Sequence, residues 1–167
     1  MTNFIDVLLS RHSVRQFTGE SVKNDDLELM VRAGMAAPSA MNIQPWSFIV
    51  VSDRGTLTNL RNALPYAKML DKAGAAIIVC GDTKEEHWVV DCAAATENVL
   101  LAAHALGYGA VWTAVYNYES RIEVVRKECK IPREIMPLNV IPIGVPADKN
   151  EAPKDKFTLS KMHKDQW

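Results

Sequence analysis

Two short segments concentrate the residues able to hold a polar, anionic or heteroaromatic ligand. Arg11-His12-Ser13-Val14-Arg15 puts two guanidiniums, an imidazole and a hydroxyl within five residues. Guanidinium groups fork onto phosphate oxygens, and such charge-assisted bonds are stronger than neutral ones. The segment suits a phosphate or a polyol; more plainly, it is also a basic turn that closes a helix. Pro38-Ser39-Ala40-Met41-Asn42-Ile43-Gln44-Pro45-Trp46 is a polar loop stiffened by Pro38 and Pro45. Ser39, Asn42 and Gln44 offer donors and acceptors matched to a planar heteroaromatic ring. Ordinary helix-to-strand connections carry the same residue types. Lys154 and Lys156 add two cations that either meet a phosphate or form a solvated charge run.

Other chemistries find little support. Gly107-Tyr108-Gly109-Ala110-Val111-Trp112 follows a helix and enters a strand, the reverse of the order a dinucleotide fingerprint needs, and it lacks the third glycine. There is no G-x-S-x-G elbow and no Walker loop. His87, His104 and His163 have no partner in sequence, and His104 reads as a core or interface histidine rather than a base. Cys80, Cys92 and Cys129 are odd in number, widely spaced and without zinc spacing, as reduced thiols of a cytoplasmic protein are. A net charge of −1 argues against a nucleic-acid binder relying on bulk positive charge. The N-terminus has no basic start followed by an apolar run. Val89 to Leu106, the richest apolar region, is interrupted by Asp91, Glu97, Asn98 and His104, so it reads as a buried helix and not a membrane span.

The elements that must position these residues follow from periodicity. In 167 residues, 48% of them apolar, one domain with a sizeable core is expected. Ile5, Leu8 and Leu9 predict a helix over Phe4 to Ser10, capped by Thr2 or Asn3. A second helix carries Leu27, Met30, Val31 and Gly34 and is capped by Asn24 or Asp25. Trp46 to Val51 and Ala75 to Cys80 predict strands, with a helix from Thr56 to Leu64 between them. Glu85 to Leu106 is the longest helix, roughly 30 Å, and its alanines make it slim. A strand at Ala110 to Ala114, a helix at Glu119 to Glu128 and a strand at Val140 to Val145 complete the set. Pro142 argues against a fully paired central place for the last strand unless a bulge lies there. The tail from Asp148 to Trp167 is polar but carries Phe157, Leu159, Met162 and Trp167, which a partner subunit would cover better than a lone domain.

Taken in order, Arg-His-Ser-x-Arg, Pro-Ser-x-x-Asn-x-Gln-Pro-Trp, a long Ala-rich helix ending in Leu-Gly-x-Gly, and Ile-Gly-x-Pro before a basic tail resemble the FMN-dependent nitroreductase family over nearly the whole chain. The resemblance implies an α+β fold: a mostly antiparallel central sheet flanked by helices on both faces, in an intertwined homodimer. Residues 1–167 would form one FMN-binding domain, with 147–167 wrapping onto the partner. Carried over by motif, Arg11, His12, Ser13 and Arg15 would hold the phosphate, ribityl chain and pyrimidine edge. Pro38, Ser39, Ala40 and Asn42 would come from the other subunit, with Gln44 as a neighbour. Trp112 and Thr113 would lie where backbone amides approach the flavin ring, and Lys154 and Lys156 would grip the phosphate. Larger members carry a helical insertion after the strand matching Ala75 to Cys80; here only Gly81 to Glu86 links that strand to the long helix.

The implied activity is a cytoplasmic, NAD(P)H-dependent FMN oxidoreductase passing two electrons to a nitroaromatic, quinone or similar acceptor by a ping-pong route. The flavin carries the chemistry, so no dedicated catalytic acid or base is nominated, and no metal, nucleic acid or membrane is involved. The alternatives are a flavin-fragmenting or dehalogenating relative of the same fold, and a non-enzymatic flavin sensor or carrier.

Overall fold

As the apolar spacing predicts, helix α1 spans Phe4–Ser10, and the Asn3 side chain caps it by accepting the Ile5 amide at 3.2 Å. In this computed structural model residues 3–148 and 155–167 are described; Thr2, the alternative cap, and Lys154 lie outside them. The strands are β1 (Trp46–Val51), β2 (Ala75–Asp82), β3 (Gly109–Ala110), β4 (Thr113–Ala114) and β5 (Ile135–Gly144). Their order is β1-β2-β5-β3, with β4 also on β5, and every pairing is antiparallel.

Alternation of side chains across the sheet divides the core in two. Ile77, Val79, Ile141 and Ile143 face a cluster with Leu27 and Met30 of α2 (Asn24–Met35) and Ala95, Val99 and Ala103 of α4 (Trp88–Ala105). Ala76, Ile78, Cys80 and Val140 face Leu57 and Leu60 of α3 (Arg54–Ala63) and Ile122 and Val125 of α5 (Glu119–Cys129). The fold is therefore α+β with helices on both faces. At Gly34 a Cβ would stand 2.9 Å from the Phe48 ring and from Val99, so only glycine lets α2 lie this close to β1 and α4.

Several boundaries differ from the sequence expectation for local reasons. Lys23, not Asn24 or Asp25, occupies the α2 cap position without a side-chain bond, while Asp25 and Asp26 enter the first turn and complement the helix dipole. The third helix starts at Arg54 because Asp53 caps it, accepting the Thr56 amide at 2.7 Å. The long helix starts at Trp88, since Glu85 to His87 are spent in a turn where Asp82 accepts the Lys84 amide at 2.9 Å.

The largest differences surround β5, which is longer than expected and central despite its prolines. The β2–β5 register shifts between Val79 and Cys80, which lie opposite Asn139 and Pro137, so Pro137 sits at an irregularity. On the other side, the expected strand from Ala110 to Ala114 is broken into β3 and β4. Ala110 pairs with Ile143 and Thr113 with Val140, which sets Val111 opposite Pro142. Pro142 has no N–H to give, and the ladder breaks at that point.

Cys80, Cys92 and Cys129 are free; burial pushes the Cys80 and Cys92 thiols up to about 12 and Cys129 to about 11. Among the described residues, no helix is long and apolar enough to cross a membrane. Phe4, Ala33, Leu101 and Ala105 line an apolar groove of about 290 Å³ between α1, α2 and α4. Phe157, Leu159, Met162 and Trp167 of the tail are exposed.

Candidate functional site

The segment after α1 runs beside the end of the sheet. The Val14 amide donates to the Ala110 carbonyl at 3.0 Å, and Thr18 donates to Val145 at 3.0 Å. A Cβ on Gly109 would fall 2.6 Å from Val14, so glycine is needed for this approach. Ser13, Val14, Arg15 and Gln16 line a cavity of about 330 Å³ with Asp148. His12 lies around the corner, in a second cavity of about 260 Å³ shared with His104, Gly107, Tyr108 and Pro146.

Ser10, Arg11, His12 and His104 have defined partners. Ser10 Oγ donates to the Asp6 carbonyl at 2.5 Å and lies 2.8 Å from His104 Nε2. A carbonyl only accepts, so the hydroxyl proton points to Asp6 and His104 Nε2–H donates to Ser10. His12 Nδ1–H donates to the Ser10 carbonyl at 3.0 Å, and the two imidazoles meet edge to face at 6.1 Å. Partial burial, then the nearby His12 and Arg11, hold the His104 imidazole below its usual pKa. Arg11 pairs with Glu97 of α4 at 3.1 Å. Arg15 is exposed at the cavity rim. This donor set, with a guanidinium and a hydroxyl around a polar cavity, fits a phosphate and a polyol.

The free edge of β3 and β4 is the second part of the site. The Ala110 carbonyl, which accepts Val14, points away from β5. Backbone direction alternates along a strand, so Trp112 and Ala114 point the same way. The Ala114 carbonyl confirms this by accepting Arg121 Nη1 at 3.0 Å. Trp112 lies between these two capped positions, with its backbone outside the ladder and its side chain 36% exposed. Thr113 turns the other way: it is buried, and its hydroxyl donates to the Val140 carbonyl at 2.6 Å. A planar ligand along this edge would therefore meet the Trp112 backbone and not the Thr113 side chain.

The loop from Pro38 to Gln44 is held in an unusual shape. Met41, Asn42 and Gln44 have φ of 49°, 57° and 57°, the left-handed region that side chains rarely adopt. Ser39 Oγ accepts the Gln44 amide at 3.0 Å, and Gln44 Nε2 donates to Asn42 Oδ1 at 3.0 Å. Asp91, buried in the first turn of α4, accepts the Ala40 amide at 3.1 Å. Asn42 and Gln44 are thereby exposed and fixed. Pro38 is exposed at the start of the loop.

The two motifs are anchored apart. Asp91 holds one and His104 the other, thirteen residues on, which is about 20 Å along the axis and well round the helix. Lys156 lies in the exposed tail and bonds to nothing in segment 11–15. Lys154 is outside the described residues. Sequence reasoning missed Asp91, Glu97 and Arg121. Asp91 had a weak signal as a first-turn acid; the other two are ordinary helix charges until the fold places them.

The sequence profile of the nitroreductase family matches residues 8–65 and 57–145. The chain belongs to the nitroreductase family. A relative from Archaeoglobus fulgidus, provisionally named an NADH dehydrogenase/NAD(P)H nitroreductase, is 39% identical over the full length of both chains. A crystal structure from Bacteroides thetaiotaomicron, provisionally named in the same way, is 50% identical and superposes over all of both chains with a TM-score of 0.95. An FMN-dependent nitroreductase from Clostridium difficile is 28% identical, with 98% of this chain and 99% of that one covered and a TM-score of 0.91. The nitroreductase fold thus extends over the short link between β2 and α4 without further elements.

Proposed function

We propose that this nitroreductase-family chain is an NAD(P)H-dependent FMN oxidoreductase that reduces a nitroaromatic, quinone or similar acceptor, with its sites shared between two copies of the chain. The observation that carries the reading is the free edge at Trp112, with the Ser13–Arg15 cavity beside it. It supplies a polar, cationic end for a phosphate and polyol, and a backbone edge for a planar ring. FMN, when bound, supplies two-electron redox chemistry that no side chain here offers.

The protein's own residues position and stabilise. Arg11, His12 and Ser13 would hold the phosphate and ribityl chain. Arg15 would place positive charge at the pyrimidine edge, where reduction adds negative charge. The rigid loop carrying Pro38, Ser39, Ala40 and Asn42, with Gln44 beside it, is anchored too far along α4 to close on the same chain's cluster. A second copy would deliver it, and the apolar groove and the uncovered apolar tail residues fit such an assembly. Residues 147–167 would cross onto that copy, bringing Lys154 and Lys156 to the phosphate. Donor and acceptor would use one open edge in turn, which is ping-pong behaviour.

The test is anaerobic addition of NADH or NADPH to purified protein while oxidised-flavin absorbance is followed. Rapid bleaching, then recovery when a quinone or nitroaromatic is added, is expected. Absence of bleaching would make the protein a carrier, and loss of flavin with oxygen consumption and no added acceptor would make it a fragmenting enzyme. Chromatography of the released cofactor should give FMN, and mainly FAD would sink the assignment.

A further inference from the structure

Arg121, on the first turn of α5, is held in place by more than its own helix. Its Nη1 donates to the Ala114 carbonyl at 3.0 Å, and its guanidinium carbon lies 3.7 Å from the Tyr118 ring centre and 5.2 Å from that of Tyr66. No carboxylate pairs with it among the described residues. Both rings are largely exposed, Tyr66 at 71% and Tyr118 at 51%. Two exposed tyrosines around an arginine without a counter-charge have no evident role in the core. The guanidinium is planar, always charged and keeps free N–H donors in a fork that matches carboxylates and phosphates.

Its position gives this cluster a use. Ala110, Trp112 and Ala114 share the outward side of one edge. The segment 11–15 caps the first, Arg121 caps the third, and Trp112 lies between, about 7 Å from each at strand spacing. Leu64, Pro65, Tyr66, Thr113, Ala114 and Arg121 enclose a crease of about 10 Å³. That is room for one small polar group, not for a ring. A partner ring stacked on a flavin held at the Trp112 edge would have a substituent within reach of the crease.

We propose that Arg121, positioned by Tyr66 and Tyr118, recognises an anionic group carried by the planar redox partner and so selects anionic partners over neutral ones of the same shape. The inference rests on the reading of the Trp112 edge as the redox site. The shared chemistry, a carboxylate or phosphate on the partner, has two sources: an anionic acceptor, whose charge lies on the ring itself, or the 2′-phosphate that NADPH carries on its adenosine ribose and NADH lacks, which would meet Arg121 with the dinucleotide folded back along the edge.

The experiment measures binding, so that it reads independently of turnover. FMN-loaded protein is titrated calorimetrically with 4-nitrobenzoate and with the neutral 4-nitrobenzamide, and in parallel with NADPH and NADH. The wild-type protein should prefer the anionic member of at least one pair by about tenfold, the size of one charge-assisted contact. Arg121→Gln should remove that preference while leaving affinity for the neutral member unchanged, and Arg121→Lys should restore part of it. Loss in the nitrobenzoate pair identifies the acceptor as the source, and loss in the dinucleotide pair identifies the donor. Tyr66→Ala, a change at an exposed ring that does not threaten the core, should weaken the same preference, and it stands in if Arg121→Gln does not fold. Equal affinities for both members in the wild-type protein, or a preference that survives Arg121→Gln and Tyr66→Ala alike, overturns the proposal. Failure of the protein to take up FMN would overturn the redox reading and the proposal with it, whereas FMN uptake with no such preference would overturn the proposal alone.

Discussion

Arg11 and Arg15 lie two residues from Ser13 on either side, yet their surroundings differ. Arg11 is tied to Glu97, whereas Arg15 stands exposed at the cavity rim. Replacing Arg11 by alanine should mainly weaken FMN binding, by roughly ten- to hundredfold for one charge-assisted contact. Glu97→Gln should do the opposite in equilibrium dialysis, because it frees Arg11 and removes a carboxylate from beside an anion; unchanged affinity would show that Arg11 does not meet the phosphate. Arg15→Ala should instead lower the flavin potential by some tens of millivolts, since about 30 mV is 1.4 kcal/mol for two electrons. Spectroelectrochemical titration measures it, and an unchanged or raised potential would pass the pyrimidine-edge role elsewhere. Asp91 makes a third case. Asp91→Ala removes the acceptor for the Ala40 amide and should cost about 1.5–3 kcal/mol in urea unfolding together with FMN affinity. Asp91→Asn keeps an acceptor oxygen and should recover most of both. Equal losses in the two variants would reduce Asp91 to packing.

At the scale of elements, α4 is the common anchor. It holds the Pro38–Gln44 loop through Asp91, Arg11 through Glu97, and Ser10 through His104. The last contact has a pH signature. His104 has a lowered folded pKa, so the neutral ring is favoured by folding. Its contribution is present above the ordinary histidine pKa of about 6.5 and is lost as pH falls through the lowered folded value. Ser10, Arg11 and His12 face the ring from the N-terminal segment, and Tyr108 and Asp148 share its cavity. Urea midpoints for the wild-type protein should fall between pH 7.5 and 5.5 more steeply than for His104→Gln, and parallel slopes would remove His104 from the account.

The legibility of these elements varied with the kind of signal. β1 and β2 were plain because aromatic, β-branched and apolar runs are local. The extent of β5 was hidden by Pro137 and Pro142, which belong in a central strand only because one meets a register shift and the other a break in the neighbouring ladder. The Arg11–Arg15 and Pro38–Gln44 motifs were visible as composition, but their separation along α4 was not, since sequence does not show where two loops dock on one helix. Arg121 and Tyr66 are far apart in the chain, and no periodicity joins them.

For the whole molecule, the exposed apolar residues set the expectation. Phe4, Leu9, Phe157, Leu159 and Trp167 are all more than half exposed in a single chain. An intertwined dimer commonly buries upwards of about 2,000 Å², and the protein should remain dimeric at nanomolar concentration by light scattering. A folded, flavin-loaded monomer there would refute it. Deleting residues 155–167 should weaken both dimer and FMN binding, and unchanged FMN affinity would take the tail out of the site.

The strand order also bears on synthesis. β5, the last strand made among the described residues, is the one between β2 and the β3–β4 edge. From Asp82 to Ile135 the ribosome adds about 50 residues, which takes a few seconds at roughly 5–20 residues per second. During that interval the nascent chain carries β2, an unbroken apolar run, with no neighbour on one side. An open strand edge of this kind is a template for wrong pairing. The chain therefore meets its greatest aggregation hazard before release, and a trigger-type holdase acting on nascent chains should raise the soluble yield more than any chaperone acting after release.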